Sequence, residues 1–172
     1  ARLVLGIVSR CDQAKRVGRE GARAHGHVSG ECNALGPQRR LIVEENRAHT
    51  VTPWGVRSLD AADPAYHPRH LWLERYYYDE AYHNGDVWMW LSGPMITALC
   101  RVGRTDDALG MLDVLVSETL DHGAVGAIRE IRDGVDTGER EEFGGATFQA
   151  WSMAEMLRAM HEDLAPALGW TR

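Results

Sequence analysis

Two polar stretches carry the side chains with chemistry to offer. The first is Tyr82-His83-Asn84-Gly85-Asp86, which places a phenol, an imidazole, an amide and a carboxyl group side by side. The second runs from Gly123 to Gly145 and holds Glu130, Asp133, Asp136, Glu139, Glu141 and Glu142. Glu130 stands apart because Ile128 and Ile131 flank it, whereas the later acids form a run suited to a solvated loop. Tryptophans follow each stretch, Trp88 and Trp90 after the first and Trp151 after the second. Indole faces stack on the C–H face of a pyranose while Asp, Asn and His bond its hydroxyls, so the set suits a sugar. Cleaving a glycosidic bond takes two carboxyl groups, one to protonate the leaving oxygen and one to activate water or attack. Each residue has a plainer use as well. Asp86 can serve as a helix cap and His83 as a hydrogen-bonded structural residue. The tryptophans at helical spacing can be core, and the Tyr76-Tyr77-Tyr78 run can pack a loop against the body.

Three helices would position these stretches. Val87, Leu91, Met95 and Leu99 form an i, i+4 stripe that predicts a helix over 87–101, with Asp86 as N-cap and Gly103 as stop. Pro94 falls inside it and predicts a kink. A second helix is expected over 106–120, opened by Thr105 and closed near Gly123, with Ala108, Leu112, Leu115, Val116 and Thr119 as its apolar stripe. A third is expected over 148–164, with Trp151, Ala154 and Met160 among its apolar positions. Residues 54–85 read as mostly irregular, with room for one short helix, and no segment shows the alternation of a strand. The fold class is all-α. The second helix comes between the other two, joined by a short link, and should run antiparallel to both, so both polar stretches fall at one end of the stack. His83 and Glu130 are therefore expected to point into a common concave space, and Trp88 or Trp151 to present an indole face to it.

The chain has 172 residues, 44% apolar and 26% charged, enough for one domain with a real core. A net charge of −6 without a basic run argues against a nucleic-acid groove. No apolar stretch approaches the roughly 20 residues that span a bilayer, and the opening residues are too weakly apolar for a signal peptide. Cys11, Cys32 and Cys100 are odd in number and lack a paired spacing, which argues against a disulfide framework or a zinc site. A reduced cytoplasmic protein without metal or cofactor is expected. Residues 1–49 contain no Phe, Tyr or Trp, so that stretch is expected to pack loosely.

Several motifs run in order from Thr52 to Glu155. Thr52-Pro53-Trp54-Gly55-Val56-Arg57-Ser58-Leu59 is similar to the TP-x-G-L-R-S-L stretch of the amylo-α-1,6-glucosidase domain of glycogen debranching enzymes, and Asp63-Pro64-Ala65-Tyr66 to the D-P-x-Y after it. Tyr82-His83-Asn84-Gly85-Asp86-Val87-Trp88-Met89-Trp90-Leu91 resembles that family's YH-x-G-x-VWPWL. Ile128-Arg129-Glu130-Ile131-Arg132-Asp133-Gly134 resembles I-S-E-I-x-D-G, and Gln149-Ala150-Trp151-Ser152-Met153-Ala154-Glu155 matches Q-A-W-S-x-A-E.

The resemblance implies a partial (α/α)6 barrel, about half of a six-hairpin toroid, with irregular loops on its active face. It implies inverting removal of α-1,6-linked glucose from a branched α-glucan or oligosaccharide, with Glu130 as general base. Arg57, Tyr82, His83, Trp88 and Trp151 would lie in or near the glucose subsite, and Asp86 joins them as a hydroxyl-bonding candidate. Met89 stands where the family has Pro, and Arg129 where it has Ser. The family's general acid, an Asp, belongs upstream of Thr50, where residues 1–49 match nothing of the family's pattern. The rest of the barrel is then expected from further upstream sequence, and the isolated chain is expected to be inactive. Residues 1–49 resemble a GC-rich gene read out of frame, with a divergent helix pair as the alternative, and the nucleotide sequence around codons 45–52 separates the two. A neutral-invertase-like (α/α)6 hydrolase and a non-catalytic glycan-binding fragment are the rival functions.

Overall fold

The computed structural model describes residues 36–69, 79–122, 124–135 and 144–170. The tyrosine run at 76–78, the acids at 136–142, Cys11 and Cys32 lie outside the described residues. The chain is mostly helical, but a small antiparallel sheet corrects the all-α expectation. Helix α1 (Gly36–Thr50) leads into strands β1 (Val51–Thr52) and β2 (Gly55–Arg57). Helix α2 (Asp79–Asn84) and strand β3 (Val87–Trp88) follow, then a 3-10 turn (Met89–Leu91) and α3 (Ser92–Arg101). Helix α4 (Thr105–Asp121) precedes strand β4 (Ile131–Arg132), and α5 (Ala150–Ala159) continues through a π turn (Met160–Leu164) into α6 (Ala165–Ala167).

The sheet has the order β1-β2-β3-β4, and every neighbouring pair is antiparallel. Val51 pairs with Val56, Val56 with Trp88, and Trp88 with Ile131, so one row of apolar side chains crosses all four strands. Thr52 closes the β1–β2 turn: its hydroxyl donates to the Gly55 carbonyl at 3.1 Å and accepts from the Trp54 N–H at 3.1 Å. Gly55 has φ +142, and a Cβ there would meet Val87 Cγ1 and Ser92 Oγ at 3.0 Å, so a side chain is excluded at this crossing.

The first helix starts at Ser92, five residues later than its stripe predicts, because Val87 and Trp88 hydrogen-bond into the sheet. Asp86 is therefore not its cap. Pro94 falls in the first turn, where a backbone N–H has no helical acceptor, and no kink is required. Leu91, Met95 and Leu99 are buried as expected, and every residue from Ser92 to Leu99 is inside. Helix α3 packs against both α4 and α5. Gly93 permits the second contact, since a Cβ there would come within 2.6 Å of Glu155 Oε2.

On α4 the cap position is Arg104 rather than Thr105. The buried stripe is Ala108, Met111, Leu115 and Glu118, rotated from the expected one, and Val116 is 37% exposed. The third helix begins at Ala150, and its π turn precedes Pro166, which has no N–H to offer the Glu162 carbonyl. Helix α1 is tied to the α3–α4 link: Arg40 donates to the Val102 carbonyl, Glu44 pairs with Arg104, and Arg47 with Asp107. No helix among the described residues is long and apolar enough to cross a membrane.

Candidate active site

Strand pairing brings the two polar stretches together. The Trp88–Ile131 register sets Glu130 beside the start of the 3-10 turn, where the Met89 N–H donates to the Glu130 carbonyl at 3.2 Å. The Glu130 carboxylate is held on both oxygens. Tyr82 Oη donates to Oε1 at 2.7 Å, and the Ala146 N–H donates to Oε2 at 2.8 Å. The Glu130 N–H in turn donates to the Ala146 carbonyl at 2.9 Å. Gly145, with φ +71, lies against the carboxylate, and a Cβ there would fall 2.4 Å from Oε2. A side chain at 145 would displace the carboxylate from this position.

Tyr82 also belongs to an aromatic cluster. Its ring meets Trp88 edge-on at 4.6 Å between centroids and His83 at 4.7 Å, while His83 lies parallel to Trp88 at 5.7 Å. The Trp88 indole N–H donates to the Tyr82 carbonyl at 2.6 Å, which fixes the indole against α2. Trp88 continues edge-on to Trp151 at 6.1 Å, and Trp151 to Trp90 at 5.5 Å. Trp88 is 7% exposed, but Trp151 is 48% exposed. His83, Trp88, Trp90 and Trp151 are among the residues that line a cleft of about 1020 Å³. The tryptophans thus border open space as well as core, and both Trp88 and Trp151 reach the cleft. Glu130 is not among the described residues that line it, and its link to the cleft runs through Tyr82 to Trp88. His83 and Glu130 sit at the same end of the helices, yet only His83 borders the concave space directly.

Arg57 and Asp86 are placed elsewhere, and neither lines the cleft. The Arg57 guanidinium lies over the Tyr66 ring, 5.7 Å from its centroid, and Tyr66 Oη donates to the Gly134 carbonyl at 3.3 Å. Burial pushes the Tyr66 phenol up, against the opposing pull of Arg57. Asp86 is fully buried, its backbone bonded to Ala81 and Ser58. Burial, with the negative charge of Asp133 adding to it, pushes the Asp86 carboxyl up to about 7.

Several neighbours of the site escape sequence reading. Arg129, beside Glu130, turns to Glu118 on α4, and Arg132 approaches the same carboxylate at 3.5 Å, all three buried. The Arg132 guanidinium also covers the Trp54 ring at 4.4 Å. The signal for Glu118 was its place three residues after Leu115, on the buried face. Glu45, Asn46 and His49 of α1, with Asp60, line the same cleft as the indoles. Their i, i+1, i+4 spacing becomes a signal once that segment is read as a helix.

A search of curated proteins finds no match to the chain. The family model for amylo-alpha-1,6-glucosidase matches residues 32–158, a span that takes in α1, the sheet, Glu130 and the whole aromatic cluster. With that match covering most of its length, the chain belongs to the amylo-α-1,6-glucosidase family.

Proposed function

We propose that this domain works as the C-terminal part of an (α/α)6 glycoside hydrolase that removes α-1,6-linked glucose from a branched α-glucan with inversion. The observation that carries the reading is the Tyr82 phenol, which bonds the Glu130 carboxylate while its ring packs edge-on against Trp88, one of the indoles that line the cleft. Glu130 acts as the general base. Two donors hold its oxygens in one orientation, as an attacking water requires of the group that takes its proton. His83 and Trp151 supply the hydroxyl and C–H contacts of the sugar, Trp88 backs them, and Arg57 and Asp86 support the loops from behind. Inversion places a second carboxyl group, the acid, roughly 6.5–9.5 Å from the base to leave room for water. In the family pattern that acid comes from preceding helical hairpins.

Assays with a branched limit dextrin test this. The 172-residue chain alone should release no glucose. Joined to the preceding hairpins of a full-length family member it should release glucose, and Glu130→Gln should then lower kcat by roughly 10²–10⁴-fold with glucan affinity retained. An active Glu130→Gln variant would show that the base lies elsewhere, and turnover by the chain alone would show that the acid is within it. A glycan-binding role without turnover is the second reading. It is favoured by the position of Glu130 outside the lining of the cleft.

A further inference from the structure

We propose that α1 forms the second wall of the cleft and that Glu45, Asn46 and His49, with Asp60, hold the hydroxyls of a second sugar ring beyond the one against Trp151. The inference rests on the glucan reading above and adds to it the number of rings this part of the cleft takes. Helix α1 presents two faces with different tasks. Arg40, Glu44 and Arg47 bond to Val102, Arg104 and Asp107 and anchor the helix to the body. Glu45, Asn46 and His49 occupy the other face and line the cleft.

The geometry of that face suits neutral hydroxyl groups. His49 Nδ1 lies 3.0 Å from Asp60 Oδ2, a hydrogen-bonding distance that orients the ring. Its Nε2 lies 3.5 Å from Glu45 Oε2, at the outer limit of a hydrogen bond, so the contact is easily exchanged for one to a ligand. A sugar diol, each hydroxyl being donor and acceptor, meets both groups at once. Asn46 supplies an independent indication. Its side chain is 1% exposed and its Nδ2 donates to the Ile42 carbonyl at 2.7 Å, which fixes the amide. Its Oδ1 has no hydrogen-bond partner among the described residues, although Asn46 borders the cleft. Buried acceptors of this kind call for a donor.

The carboxylates and this amide oxygen together favour a ligand rich in O–H groups. No Lys or Arg is among the described residues that line the cleft, so a phosphorylated or otherwise anionic ligand lacks a counter-charge there. At about 1020 Å³ the cleft stands at the top of the roughly 300–1000 Å³ range of small-molecule sites and has room for more than one ring.

Titration of the 172-residue chain with glucose and with the α-1,6-containing trisaccharide panose, followed by the indole N–H resonances, tests the inference. Panose should bind at least about tenfold more tightly than glucose. Glu45→Gln combined with Asp60→Asn should bring panose down to the affinity of glucose and leave glucose binding within about twofold. His49→Ala, with the helical circular dichroism retained, should do the same, whereas Trp151→Ala should weaken both sugars. Panose binding that is tighter than glucose and unmoved by the α1 variants overturns the second wall and leaves the glucan reading standing. Absence of binding by either sugar overturns both.

Discussion

Asp86 shows how burial turns an acid into a pH-dependent element of stability. Its carboxyl is pushed up to about 7 from an ordinary value of 3.8, so the folded chain takes up this proton far more readily than the unfolded one. The stabilising contribution is therefore complete below about pH 4 and is lost as pH rises through about 7. At about 1.4 kcal/mol for each pH unit of difference, the window corresponds to at most about 4 kcal/mol. Asp86→Asn keeps the shape and removes the charge. Urea denaturation at pH 5 and pH 8 should show the parent losing stability between the two values, with the loss largely absent in the variant. Parallel behaviour of the two proteins would mean that Asp86 is not the group that titrates. The carboxylate of Asp133 adds the smaller repulsion, so Asp133→Asn should shift the same window downward by less.

The helices were legible in the sequence because Leu91, Met95 and Leu99 repeat at the helical period, and the structure buries all three. The sheet was not. Its strands are two or three residues long, too short for alternation to register, and Val87 and Trp88 fit a helical stripe equally well. The candidate site was half legible. Tyr82, His83 and Trp88 pack together and the Tyr82 hydroxyl reaches Glu130, because strand pairing sets β3 beside β4, but Glu130 does not share the lining of the cleft with His83. The wall supplied by α1 was hidden, since Glu45, Asn46 and His49 converge with Asp60 only after the helix has formed. Glu118 was legible only in part: its place three residues after Leu115 puts it on the buried face, but a lone charge there gives no sign of its partners. Helix α4 buries it between Arg129 and Arg132, so one carboxylate answers two guanidinium groups. Glu118→Ala takes a buried carboxylate away from both guanidinium groups and should cost roughly 3–5 kcal/mol in chemical denaturation. Glu45→Ala, at an exposed position on α1, should stay within about 0.5 kcal/mol. A small effect of Glu118→Ala would show that the other contacts of the two arginines, or water, carry their charge.

Across the whole molecule the cleft draws on three distant stretches, α1 with the loop after β2, the α2–β3 segment, and the start of α5. The sheet that gathers them joins Val56 to Trp88 and Trp88 to Ile131, pairs separated by long intervals of chain. Helices α3 and α4, by contrast, are sequence neighbours joined by a short link. Closing a long loop costs entropy before any ladder bond repays it, whereas a helical hairpin needs no such closure. The order of assembly follows from the register. Pulse-labelled hydrogen exchange during refolding should protect the amides of α3 and α4 first and those of β2, β3 and β4 last. Simultaneous protection of all of them would mean that the sheet nucleates with the helices. Because Glu130 and Trp88 gain their positions only when β3 meets β4, the sugar binding proposed above would follow that last step, and a glucan would capture only chains that have completed the sheet. Such a ligand would act as a late clamp on folding: it would slow the loss of the finished ribbon and leave the rate of the early helical collapse unchanged.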